Sequence, residues 1–298
     1  MRKILIAVFV LSAGWSSAEP AGSSAARFLM VEPLAREAAM GGAYAASASG
    51  AGSLYSNPAG LGGLEEGGVI FSHLFYFEGL NCAFFSYAEP VGNLGVFSAG
   101  AMALYSDRVD RTREDSLGYL VETSDTFSSL ETAFMLGWGG NIISGKLDAG
   151  LSVKIINQRI DNSKAGGFGA DLGAKYFFRE DITFGAGIQN IGPPIKGKRL
   201  PLNFKAGAGW DVPGYPVIVA ADINQPLDGD FSFNLGAEGR IHGLLSLRAG
   251  YGSRSDTDGL SGVHTGFGVE WNRLSFDYAF IPYGDLGDTH SLTLGTFF

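Results

Sequence analysis

The residues best suited to metal or proton chemistry in this 298-residue chain are its four histidines, His73, His242, His264 and His290. They stand far apart, and no H-E-x-x-H spacing sets two imidazoles on one helix face, so no zinc site is expected. A serine hydrolase needs a nucleophile, a base and an orienting carboxylate that meet in space. No G-x-S-x-G turn marks such a serine, and no catalytic residue is assigned. Asp228-Gly229-Asp230 and Asp256-Thr257-Asp258-Gly259 resemble fragments of calcium loops, but no glutamate closes a twelve-residue frame, and both are read as turns. Gly185-Ala186-Gly187 and Gly207-Ala208-Gly209 lack the strand-to-helix setting of a dinucleotide loop. Arg108, Arg111 and Arg113 alternate with Asp107, Asp110, Glu114 and Asp115, a mixed-charge run read as a solvated loop. Neither metal nor cofactor is expected.

The charges that remain follow a different rule. Lys154, Asp171, Lys175, Lys205, Asp222, Glu238, Arg240 and Arg248 each occupy one phase of a period-two alternation whose other phase is apolar. That period puts successive side chains on opposite faces of a strand. In Lys146–Gln158, for example, Leu147, Ala149, Leu151, Val153 and Ile155 oppose Asp148, Gly150, Ser152 and Lys154. The same split recurs over Phe168–Phe178, Leu202–Trp210 and Phe231–Ile241. A basic residue on a lipid-facing position near mid-membrane would cost about 2–4 kcal/mol, so the charged phase is assigned to a lumen. Both signs are present there, which predicts internal ion pairs in place of a one-sign ion filter.

The elements that must carry these residues are therefore strands. Glycine, 45 of the 298 residues, is too frequent for a generic domain, yet it follows no collagen-like period. Turn-rich segments such as Glu89–Asn93, Ser144-Gly145, Arg179–Asp181, Val212–Gly214 and Asn272-Arg273 separate about fourteen strands. The long polar connections, Ser106–Ser129, Arg159–Gly166, Gly192–Leu200, Ser253–Gly262 and Pro282–Thr289, all follow odd strands, the asymmetry of an outer-membrane barrel. Trp138, Trp210 and Trp271, with Tyr176, Phe178 and Phe298, share the apolar phase near the ends of even strands and predict an aromatic girdle at one membrane edge. The expected fold is all-β, a transmembrane antiparallel barrel of about fourteen strands with a short N-terminal helical plug.

Residues 1–18 read as a signal peptide: Arg2 and Lys3, the apolar run Ile4–Leu11, then Ser16-Ser17-Ala18. Their removal would take the formal charge from −9 to −11, which argues against a nucleic-acid partner. Residues 19–67 form the expected plug segment, helix-compatible near Pro33–Ala46, and residues 68–298 the barrel. The single cysteine, Cys82, allows no internal disulfide.

Within the plug segment, Ala26-Arg27-Phe28-Leu29, Ala35–Ala43 and Tyr55-Ser56-Asn57-Pro58-Ala59-Gly60-Leu61 resemble the PorV/PorQ family of the FadL-like superfamily of outer-membrane proteins. The resemblance implies a fourteen-stranded barrel with N-terminal helices folded inside it. It implies either uptake of small hydrophobic molecules or a part in type IX protein secretion with secretion-system proteins as partners. An outer-membrane enzyme stays as a third alternative. Phe28, Arg36, Asn57, Pro58 and Ala59 are the expected plug and ligand-route residues. Asn57 in particular is expected to tie irregular backbone to a wall strand, because Pro58 prevents a helix from continuing there. The expected surroundings are outer-membrane lipid and lipopolysaccharide, with the terminal Phe298 resembling the signal read by barrel-assembly machinery.

Overall fold

A computed structural model describes residues 23–77, 79–114, 117–253, 262–284 and 287–298. The expected signal peptide and the Asp256–Gly259 turn lie outside the described residues. Among the described residues, sixteen strands follow one another. The first eight are β1 (Gly68–Phe75), β2 (Leu80–Pro90), β3 (Val96–Ser106), β4 (Val109–Glu114), β5 (Leu120–Phe127), β6 (Ser129–Ile143), β7 (Leu147–Ile160) and β8 (Ser163–Arg179). The rest are β9 (Ile182–Ile191), β10 (Asn203–Asp211), β11 (Val217–Pro226), β12 (Ser232–Ile241), β13 (Leu245–Gly252), β14 (Val263–Trp271), β15 (Leu274–Pro282) and β16 (Asp288–Phe297).

All but β4 and β5 form one closed antiparallel barrel of fourteen strands, in which β3 pairs with β6 and β1 closes on β16 from Gly68↔Phe297 to Phe75↔His290. Closure pairs every interior strand on both sides and leaves no sheet edge, the condition for crossing a bilayer with strands. The β4–β5 pair is a separate hairpin rising from the β3–β6 connection. The polar run expected as a loop there is thus largely strand, with Arg111 paired to Asp161 at 2.9 Å.

Arg159–Gly166, expected as a long connection, is also paired. The β7–β8 ladder continues through Arg159↔Lys164 to Ile160↔Ser163, and only Asp161 and Asn162 turn. Asp161 takes φ 54°, a left-handed value that a short polar side chain tolerates. Polar strand ends beyond the apolar band look like loop in sequence, but the ladder does not depend on their hydropathy.

The N-terminal segment is less helical than its pattern. Of Pro33–Ala46 only Ala35–Ala39 is helix (α1), because Gly41 and Gly42 take φ of 67° and 80° and end it. Ser53–Ser56 forms a second short helix (α2), and 3₁₀ turns span Arg27–Met30 and Pro58–Gly63. α1 touches β13 to β16, whereas the Pro58–Gly63 turn touches β6, β7 and β8 across the ring. A segment that contacts opposite walls lies inside the barrel.

On the outer face, Phe134, Leu136, Leu151, Val153 and Ile155 are exposed, while their strand neighbours Ala133, Met135, Ser152 and Lys154 are buried inward. Trp210, Trp271, Tyr176 and Phe178 lie at the end of the barrel where the connections are tight, and the Trp138 indole donates to Leu94 O at 2.7 Å at the same rim. Phe298 stacks on Tyr87 there, with ring centroids 6.2 Å apart.

Candidate functional site

In the lumen, polar groups and buried apolar side chains of many strands converge, and its wall has two kinds of sector. From β7 round to β15 the inward phase carries charge. Lys154 on β7 meets Asp171 on β8 at 2.9 Å and Asn190 Oδ1 at 2.7 Å. Asp171 also accepts the Ser152 hydroxyl at 2.7 Å and the Asn190 amide at 2.8 Å, where β9 bulges and Asn190 takes φ 63°. Lys175 donates to Ala48 O at 2.7 Å. Asp222 on β11 accepts the backbone amides of Tyr44 and Ala45 at 2.8 and 2.7 Å, with Lys205 at 4.0 Å.

Glu238 is the centre of a second network. Arg36 reaches it through two bonds of 2.8 and 3.1 Å, Arg248 at 2.7 Å and Arg240 at 3.1 Å, and Arg248 goes on to Asp277 at 2.7 Å. Arg36 is the segment's contribution and the other four residues belong to the wall, so this cluster clamps α1 to β12, β13 and β15. Charge-assisted, bidentate pairing of this kind is the strong form of hydrogen bond.

From β16 through β1, β2 and β3 the inward phase has no charge at all. Ser72, Ser291 and Thr293 bind the segment's backbone at Pro33 O and Ala35 N. Beside them, Leu74, Cys82, Phe84 and Met102, with Met135 of β6, pack against Phe28, Leu29, Leu54 and Tyr55 of the segment. Tyr55 meets Phe84 edge to face at 5.8 Å. A smaller apolar cluster of Ala51, Leu61, Ala88 and Val96 continues towards the tight-turn rim, and Ile70 touches both.

Wall glycines set how close the segment can come. A Cβ at Gly139 would stand 2.6 Å from Pro58 O and one at Gly236 2.6 Å from Met40 O, and Gly150 abuts the Pro58–Ala59 peptide. The glycine-rich inner phase is therefore the print of the segment's backbone on the wall.

Of the expected route residues, Phe28 lies in the larger apolar cluster, Arg36 in the Glu238 network, and Pro58 and Ala59 in the 3₁₀ turn against Gly139 and Gly150. Asn57 differs from expectation. Its amide donates to Ala45 O at 2.7 Å and its carbonyl accepts Ala59 N at 3.2 Å, so its side-chain bonds tie the segment to itself, with Oδ1 set against Gly173 of the wall. Two residues had no signal in the pattern. Glu37 is buried with Oε1 unpartnered, and burial pushes its carboxyl up to about 8 against the opposing pull of Lys205. Leu54, one leucine in an Ala/Ser/Gly-rich stretch, fills the gap facing Gly100 and Gly137.

Among the described residues no group of three His, Cys, Asp or Glu side chains could hold a metal ion. His264 pairs with Ala38 O at 2.7 Å, and His290 pairs with Tyr278 at 2.9 Å and packs against the Phe280 ring.

The fold defines a class, that of closed fourteen-stranded antiparallel β-barrels. Solved structures of that fold include the Ralstonia pickettii toluene transporter TbuX, with TM-score 0.65, 16% identity and coverage of 90% of this chain and 98% of that one. The P. putida toluene transporter TodX gives 0.59 and 14%, covering 89% and 98%. A Pseudomonas aeruginosa FadL homologue gives 0.54 and 10%, covering 88% and 98%. At these identities the likeness is one of fold. By sequence, no family model and no curated protein matches the chain, so the PorV/PorQ resemblance gains no support from either.

Proposed function

We propose that this protein sits in a bacterial outer membrane and passes small hydrophobic molecules through it, with the N-terminal segment acting as a plug. The observation that carries this reading is the apolar packing inside the barrel: Leu74, Phe84, Met102 and Met135 face the lumen, where a water-filled pore would carry polar side chains. Among the described residues, Lys154, Asp171, Lys175, Asp222, Glu238 and Arg248 are engaged with one another or with the segment. The outward apolar band and its aromatic rim suit lipid and lipopolysaccharide as the surroundings. The structural neighbours described in print as toluene transporters support the same reading by fold.

The test uses a diderm host expressing the full chain, with labelled toluene as the apolar probe and nitrocefin as the polar one. Cells carrying the protein should take up toluene faster than cells without it, at unchanged nitrocefin hydrolysis. Equal toluene rates would remove the transport reading. Faster nitrocefin hydrolysis would show an open aqueous pore instead.

A further inference from the structure

Two cations stand on the outer face of the barrel wall, away from the lumenal networks. Arg159 on β7 shares the outward phase of Leu151, Val153 and Ile155, and Lys164 on β8 shares that of Phe168. The β7–β8 ladder runs without a register shift and sets the two directly opposite one another. Like charges in that position repel. The carboxylate of the turn between them, Asp161, is taken by Arg111 of the β4–β5 hairpin at 2.9 Å. Neither Arg159 nor Lys164 has a hydrogen bond or ion pair of its own among the described residues.

Their height on the wall is set by the strand. Arg159 lies twelve residues beyond Leu147, the cross-strand partner of Tyr176 at the aromatic rim. At about 3.3 Å per residue and a tilt of about 40°, both cations stand roughly 30 Å from that rim, where a hydrocarbon core of about 30 Å ends. They therefore meet the headgroups of the opposite leaflet.

The wall beneath them changes character in two steps. The next outward row across β6, β7 and β8 is Thr132, Asn157 and Gly166, and the row below it is Phe134, Ile155 and Phe168. Thr132 and Asn157 also have no side-chain partner among the described residues. Asn157 Oδ1 stands 3.6 Å from the position of a Cβ at Gly166, so the glycine leaves a shallow recess under the cations. Phe134, Ile155 and Phe168 are each more than half exposed.

We propose that this face of β6–β8 binds the anionic phosphate headgroup of an outer-leaflet lipid. The phosphate oxygens bridge Arg159 and Lys164, which removes the repulsion between them and uses the preference of both side chains for phosphate. The Thr132 hydroxyl and the Asn157 amide donate from below, and an acyl chain lies over Phe134, Ile155 and Phe168. That apolar row favours a lipid over a soluble anion. The proposal rests on the outer-membrane setting of the barrel and is independent of what the barrel transports.

Native mass spectrometry of the full chain in nonionic detergent, with dioleoyl phosphatidic acid as the probe, tests the site. One lipid should bind saturably. Arg159→Gln with Lys164→Gln should weaken it by about 20-fold or more, because each cation contributes about fivefold at an anionic lipid surface. Lys196→Gln with Lys198→Gln removes the same charge from the cavity at the long-loop end and should keep the affinity within twofold. Equal affinity in the outer-face variant, or an equal loss in the Lys196/Lys198 variant, would overturn the site. Dioleoylglycerol, which has the same chains and no phosphate, should bind far more weakly, and equal binding would reduce the face to an acyl contact. Displacement of the lipid by inorganic phosphate would make it a soluble-anion site and overturn the lipid assignment. Heat-modifiable mobility checks that each variant is folded; should the double variant fail, Arg159→Gln alone decides, with a loss of about fivefold expected and an unchanged affinity refuting the site. A parent that does not insert into phosphatidylcholine vesicles would sink the membrane setting itself, and the site with it.

Discussion

Replacing Arg36 by methionine should loosen the plug while leaving the barrel intact. Without Arg36 the wall part of its cluster holds Glu238 and Asp277 against Arg240 and Arg248, two charges of each sign, so no buried charge is orphaned. What is lost is the pair of bonds to Glu238 at 2.8 and 3.1 Å, with the weaker ones to the Tyr44 hydroxyl and to Ser49 Oγ, both at 3.2 Å. Hydrogen bonds to charged groups contribute about 1.5–3 kcal/mol each, and allowing for the solvation that a free Arg36 regains, a net of about 2–3 kcal/mol is expected. At about 1.4 kcal/mol per factor of ten, local opening becomes about 30- to 150-fold more frequent. Native-state amide exchange measures this directly. The amides of Gly42, Tyr44 and Ala45, bonded to Glu37 O and Asp222, should exchange faster by that factor while those of β12 and β13 keep the parental rate. Glu238→Gln should behave differently, because it leaves three arginines around one aspartate; at about 3–5 kcal/mol it should speed exchange in β12 and β13 as well. Parental exchange rates at Gly42 to Ala45 in the Arg36 variant, or equal acceleration of the strands, would refute the clamp.

Gly150→Val should lower the urea midpoint, at a cost of about 1–3 kcal/mol, because its Cβ meets the Pro58–Ala59 peptide, whereas Gly63→Ala, which faces open space, should be neutral; equal midpoints would mean the segment does not press on the wall. Val153→Arg puts a cation on the outer face of β7 and should cost about 2–4 kcal/mol for refolding into phospholipid vesicles, a penalty whose absence would argue against lipid contact at that height. The Glu37 carboxyl is raised by burial to about 8, above its unfolded value, so the folded protein binds the extra proton. Its contribution to stability should be full below about pH 4.5 and fall as pH rises towards about 8. A Glu37→Gln variant should lose that slope in urea midpoints taken across the interval, and an identical slope in both proteins would rule the assignment out.

The wall was readable from the sequence because a strand encodes its two faces in alternate residues. Leu151, Val153 and Ile155 against Ser152 and Lys154 settle which side faces outward without knowledge of any neighbour. Turn residues such as Ser144-Gly145 and Asn272-Arg273 fix where the chain reverses, and together these give the strand number of the closed barrel. Where strands extend past the apolar band, as at Arg159–Gly166, alternation has nothing to sort and the pattern misread a hairpin as a loop. The interior was readable only as an inventory of charges. That Lys154 finds Asp171, or Arg36 finds Glu238 some 200 residues away, depends on the stagger of strands around the ring, which periodicity does not carry. Asn57 shows the same limit: its amide suits several partners, and only the folded path of the segment brings Ala45 O to it. The gap at Gly137 exists because β6, β3 and the plug meet there, so Leu54 acquires its place from tertiary packing, with no trace in its own neighbours along the chain.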